Sequence, residues 1–119
     1  MKDYKDLIVW NKSIEFVTEI YTLVKLLPKE ETYALSDQIR RASVSIPSNI
    51  AEGANRNSTK EYIQFLYIAL GSASEVETQI IIAKNIGYFK DINQYLGKLT
   101  EIRKMINGLI SSLQRSISS

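Results

Sequence analysis

Cysteine and histidine are both absent from this sequence. Without cysteine there is no disulfide framework and no thiolate nucleophile. Without histidine, the usual general base, the commonest zinc ligand and the histidine-dependent nucleophilic triads drop out together. Long apolar runs are missing as well. Leu7–Trp10 covers four residues, too short for the apolar core of a signal peptide, and no segment reads as the ~20 apolar residues of a membrane span. These absences lead to the expectation of a soluble, cytoplasmic protein.

What is present is a chain of 119 residues, enough for one domain, residues 1–119, with a core that needs no staples. The net charge of +2 is unevenly spread: −2 over residues 1–37, +3 over 38–60, −2 over 61–96 and +3 over 97–119. Alternating signs suit antiparallel neighbours packed side by side, and equally suit two basic surfaces for an anionic partner.

Apolar periodicity gives four helices. The first is expected from an N-cap at Asp6 to about Leu27, with Trp10, Ile14, Val17, Tyr21 and Val24 as its seam and Pro28 as its stop. The second starts between Glu30 and Ser36, carries Leu35, Ile39, Ala42, Ile46, Ile50 and Gly53 on one face, and ends around Ala54–Asn57. Pro47 falls inside it. A proline there removes a backbone donor and crowds the carbonyl of Ser43, so a kink is expected, with a break into two helices as the alternative. Ser58-Thr59-Lys60-Glu61 is a capping box that opens the third helix, about 59–86, closed by Gly87. Its seam is Tyr62, Leu66, Ala69, Ala73, Val76, Ile80 and Ala83. Asp91 and Gln94 give a second such signal for the fourth helix, with Leu99, Ile102, Ile106, Leu109 and Leu113 along its seam to a frayed, serine-rich end. Short polar connections make this an all-α, antiparallel up-down-up-down four-helix bundle.

The third helix has more apolar surface than one face requires. Ile63, Phe65, Tyr67, Ile68, Leu70, Ile81 and Ile82 lie partly or wholly off its seam. A surplus face buries against another chain or against a second neighbour in the same bundle. Self-association through Ile63, Tyr67, Ile68, Ile81 and Ile82 is the expectation drawn from it.

Three constellations bear on chemistry. Glu52 with Glu75 could ligate Mg²⁺ in a carboxylate-metal hydrolase, but Glu75 and Glu77 diverge by about 200° on a helix, and salt-bridged glutamates are the plainer reading. No metal, cofactor or small-molecule substrate is therefore expected. Ser45, Asn49 and Glu52 share one sector of the second helix. With no base to activate a hydroxyl, they read as partners for backbone groups freed near Pro47. The basic set, Arg40, Arg41, Arg56, Lys60, Arg103 and Lys104, with Arg115 beyond it, can contact phosphates, and an oligomer would multiply a modest patch. The sequence lacks a recognition-helix signature and an RNA-stacking motif, so solvated or ion-paired side chains remain the alternative. The seven tyrosines read as core and rim packing.

The chain resembles the large-subunit rRNA intervening-sequence protein family along nearly its whole length. The resemblance rests on Leu7-Ile8-Val9-Trp10, Leu27-Pro28-Lys29-Glu30, and Gln38-Ile39-Arg40-Arg41-Ala42 continuing through Ser45-Ile46-Pro47-Ser48-Asn49-Ile50-Ala51-Glu52-Gly53. Ser58-Thr59-Lys60-Glu61-Tyr62, Ala69-Leu70-Gly71-Ser72 and Glu75-Val76-Glu77-Thr78-Gln79 extend it. The fourth helix matches least, and Ala54-Asn55 departs from the aromatic or basic residues that follow the glycine in the family. The resemblance implies a four-helix bundle assembled as a homopentamer, and an association with ribosomal or other structured RNA inferred from gene position. A related bundle, the accessory protein of diversity-generating retroelements, implies a basic pentamer engaging RNA. It implies no catalytic residues. The reading is thus a non-enzymatic, self-assembling bundle that binds structured RNA, with a protein-interaction or structural oligomer as the alternative.

Overall fold

The computed structural model describes residues 3–118. Its helices are α1 (Ile8–Val24), α2 (Leu35–Ala54), α3 (Thr59–Ile86) and α4 (Asn93–Ser118), and the described residues contain no strand. The serine-rich end expected for the fourth helix falls partly outside the described residues, at Ser119.

The N-terminus differs from expectation. Asp6 does not cap α1; it closes a short 3₁₀ turn, Tyr4–Asp6, in which Asp3 accepts from the Lys5 N–H. Leu7 takes the N-cap position without a side-chain bond. The Asn11 amide instead reaches back to the carbonyls of Lys5 and Leu7, at 2.8 and 2.9 Å, and ties the turn to the helix.

The seam of α1 is also displaced. Val9, Ser13, Phe16, Ile20 and Leu23 face the core together with Val24, the one expected seam residue that is buried, whereas Trp10 and Val17 are half-buried and Ile14 and Tyr21 are exposed. Two apolar stripes one residue apart run along this helix, and periodicity alone does not choose between them. Ser13 made the true seam look polar. Its hydroxyl is silent in the core because it donates to the Val9 carbonyl at 2.7 Å.

α2 continues through Pro47 without dividing. The side chains nearby do not serve the Ser43 carbonyl as expected: Ser43 Oγ donates to the Arg40 carbonyl and Asn49 Nδ2 to that of Ser45, while Ser45 and Glu52 pair with the side chains of Ser72 and Arg56. Ser58 Oγ accepts from the Glu61 N–H at α3's start. Gly87 ends α3 in the left-handed region, φ 103°, where its N–H and that of Tyr88 reach the carbonyls of Lys84 and Ala83. Asp91 accepts from the Asn93 N–H to open α4.

Each helix packs on its neighbours in sequence, α4 returns to α1, and the diagonal pairs do not approach. Cross-helix contacts give the directions. Ser45 meets Ser72 while Gly53 meets Tyr62, so α2 and α3 run oppositely. Lys98 meets Glu19 and Glu101 meets Lys12, so α1 and α4 do too. The result is 51 Å long and about 20 Å across. Leu66, Ala69, Ala73, Val76, Ile80 and Ala83 of α3 are fully buried, together with Leu99, Ile102 and Ile106 of α4.

One exclusion needs correction. By length and composition α3 is apolar enough to cross a membrane, although no uninterrupted run announces it. Its apolar residues divide between the buried seam and the surplus outer face, which accounts for that character within a bundle.

Candidate functional site

The sector around Ser45 is a closed relay. Ser72 Oγ donates to the Ile68 carbonyl at 3.1 Å, so its single proton is committed. Ser45 must therefore donate across the helix pair to Ser72, 2.7 Å away, while Asn49 Nδ2 donates to Ser45 Oγ at 2.8 Å. The chain Asn49 to Ser45 to Ser72 to backbone holds every proton in place. It fixes the register of α2 on α3 and leaves no hydroxyl poised for attack. Glu52 faces elsewhere and pairs with Arg56 at 3.1 Å.

The carboxylates are not gathered. Arg56 rests over the Phe65 ring, 4.8 Å from its centre, so Glu52 lies level with Phe65. Glu75 is ten residues further along α3, about 15 Å at 1.5 Å per residue. Glu77 pairs with Arg103.

The basic residues separate into three places. Arg40 is half-buried, with a long contact of 3.5 Å to the Thr32 carbonyl. Arg41 sits beside Asp37 at 3.5 Å but its side chain is 81% exposed. Arg56 and the exposed Lys60 lie at the α2–α3 turn, roughly 20 Å along the axis from Arg41. Arg103, held by Glu77, and exposed Lys104 are on α4, diagonal to α2. A single chain therefore gathers no continuous basic surface from these six.

The outer face of α3 exposes Tyr67, Ile68, Ile81 and Ile82, each 38–52% accessible, and Ile86 extends it. Ile63 does not belong to that set, being buried in the core. Positions 63, 70 and 77 recur every seven residues along one line, and Glu77 on that line holds Arg103, so the line faces α4.

A second apolar surface escaped the sequence reading. Ile14 and Val17 of α1 with Val44, Pro47 and Ala51 of α2 line an open groove of about 310 Å³. Tyr4, edge-on to Trp10 at 5.3 Å, closes one end. Beyond Val44 the groove runs into a second hollow of about 330 Å³ beside Tyr21, Arg40 and Arg41. Its signal was present in the two stripes of α1.

The fold defines a class, the four-helix bundle, here with an apolar ridge exposed on α3 and an apolar groove open between α1 and α2. More narrowly, the chain belongs to the 23S rRNA-intervening sequence protein family, whose model matches residues 5–108. It is similar to a crystal structure of a protein of unknown function from the S23 ribosomal protein family of Bacteroides thetaiotaomicron. The two are 34% identical and superpose with a TM-score of 0.77 over 87% of this chain and 98% of that one. No curated protein matches the chain.

Proposed function

We propose that this protein is a non-enzymatic assembly unit of the cytoplasm: five copies associate through their exposed apolar faces, and the assembly binds structured RNA through its repeated arginines. The observation that carries the reading is the outer face of α3, where four large apolar side chains stand in water on the isolated chain. Assembly also answers the scatter of the basic residues. Copies of Arg40 and Arg41 arrayed around a ring would meet a polyanion at several points, where one chain offers one or two. The family's description names the 23S rRNA intervening sequence and the relative's names a ribosomal protein family, which supports this choice of partner.

Two measurements test it. Light scattering behind size exclusion at micromolar concentration should give a multiple of the 13.6 kDa chain. Anisotropy of labelled, structured rRNA fragments should show binding that weakens at least about tenfold between roughly 50 and 200 mM salt, and further in Arg40→Ala/Arg41→Ala. A sharp monomer mass removes the assembly, and absent binding at low salt removes the RNA.

A second reading, a protein-contact oligomer without nucleic acid, is favoured by the pairing of Arg41, Arg56 and Arg103 with Asp37, Glu52 and Glu77. It expects intact assembly with no salt-sensitive RNA binding.

A further inference from the structure

We infer that copies of this chain join head to tail, the outer ridge of α3 on one copy seating in the α1–α2 groove of the next. The inference rests on the self-association proposed above and specifies its geometry.

Two apolar surfaces are exposed, and they lie on different sides of the four-helix square, because α3 is diagonal to α1. Symmetric contacts each leave one of them uncovered. Ridge against ridge leaves the groove in water, and groove against groove leaves the ridge. Head-to-tail contact covers both on every copy with one kind of interface, and a heterologous contact whose rotation closes makes a ring.

Charge points the same way. Glu75 is exposed on the ridge, seven residues from both Ile68 and Ile82. A two-fold axis near the middle of the ridge would bring Glu75 towards its own copy, a repulsive pair. In the groove, Arg40 lies seven residues before Pro47. Seven residues of helix is about 10 Å, so the two spacings match. Seating Ile82 or Ile68 on Pro47, for the two possible directions of α3, places Glu75 level with Arg40. Arg41, about 100° round the helix from Arg40 and with its side chain 81% exposed, stays outside that contact and remains open to a polyanion.

A mixing experiment tests the geometry apart from assembly itself. Ile68→Glu/Ile82→Glu spoils the ridge and Ile14→Glu/Val44→Glu spoils the groove; all four side chains are exposed. Each variant alone should run as a folded monomer by light scattering and far-ultraviolet circular dichroism. Mixed one to one, they retain one sound ridge and one sound groove and should double in mass. A mixture that stays monomeric while the wild type assembles overturns the head-to-tail contact and leaves self-association standing. A monomeric wild type removes both. Should the glutamates unfold the bundle, Arg40→Cys mixed with Glu75→Cys in this cysteine-free chain gives a disulfide-linked dimer under mild oxidation, because both directions of α3 bring these two positions level. Linking by Glu75→Cys alone, without the mixed product, overturns the proposal.

Discussion

α2 and α3 meet through shape, whereas α1 and α4 meet through charge. Along the first interface Gly53 lets the backbone of α2 press on Phe65 and Tyr62, and the Ser45–Ser72 bond pins the register. Along the second, Lys12–Glu101 and Lys98–Glu19 bridge a groove of about 530 Å³ with side chains 40–54% exposed. One oxygen of Glu19 is also turned inward without a hydrogen-bond partner. Close apolar packing is specific and insensitive to salt, while exposed ion pairs contribute about 0–1 kcal/mol each and are screened. The bundle thus has a rigid half and an adjustable half.

The strongest way to break the rigid half is Gly53→Ala. A methyl group there would lie 2.8 Å from Phe65 Cβ and 3.1 Å from the Tyr62 carbonyl oxygen, so α2 and α3 must part. Overpacking costs about 1–3 kcal/mol, against a helix-propensity gain of at most ~1 kcal/mol. Urea unfolding should show a net loss. Gly71→Ala is the counterpart. It is mid-helix with nothing within 4 Å of the added methyl, and should gain about 0.5–1 kcal/mol from lower chain entropy in the unfolded state. If both changes shift stability in the same direction, close approach at Gly53 is not what specifies the pair.

Ser72→Ala and Lys98→Ala sharpen the contrast at smaller magnitude. Loss of the relay at Ser72 should cost about 1 kcal/mol at any salt concentration. Loss of Lys98 should cost a few tenths of a kcal/mol in dilute buffer, roughly, and nothing measurable near 1 M salt. Denaturation at two ionic strengths separates them; a salt-dependent Ser72 effect would contradict the division.

Local signals in the sequence carried the element ends well. The Ser58–Glu61 box and Gly87 bound α3 as read, because caps are settled by residues a few positions apart. The failures lie where a choice depends on a distant partner. Two stripes on α1 compete, and α2 and α4 select Val9–Phe16–Ile20 over Trp10–Ile14–Tyr21 only once the bundle closes. The misjudged stripe turned out to be the groove. Ile63 has the same origin: its line faces α4 through Glu77 and Arg103, a pairing across 26 residues. By contrast Asp37–Arg41 and Glu52–Arg56 are four apart, and their pairing was visible from spacing alone.

The ends of the bundle offer a finer test, because one hydrogen bond joins two connections there. Tyr88 Oη, just past α3, donates to Glu31 Oε2 at 2.9 Å in the turn before α2. That bond, with some desolvation and the negative charge of Glu31 and Glu30, holds the phenol above the ordinary tyrosine value of 10.0. The folded state therefore binds this proton more tightly than the unfolded chain does. Its contribution is fully present below about pH 10 and is lost as pH rises through the folded value. Tyr88→Phe should melt lower than the wild type near neutrality, and the gap in melting temperature should narrow above about pH 10, where the wild type must surrender the same bond. Burial raises Tyr62 as well, and that residue remains in the variant. The variant should accordingly still lose stability in alkali, but less steeply. A gap that stays constant from pH 8 to 11 would mean that packing of the Tyr88 ring, and not its bond to Glu31, ties the two connections together.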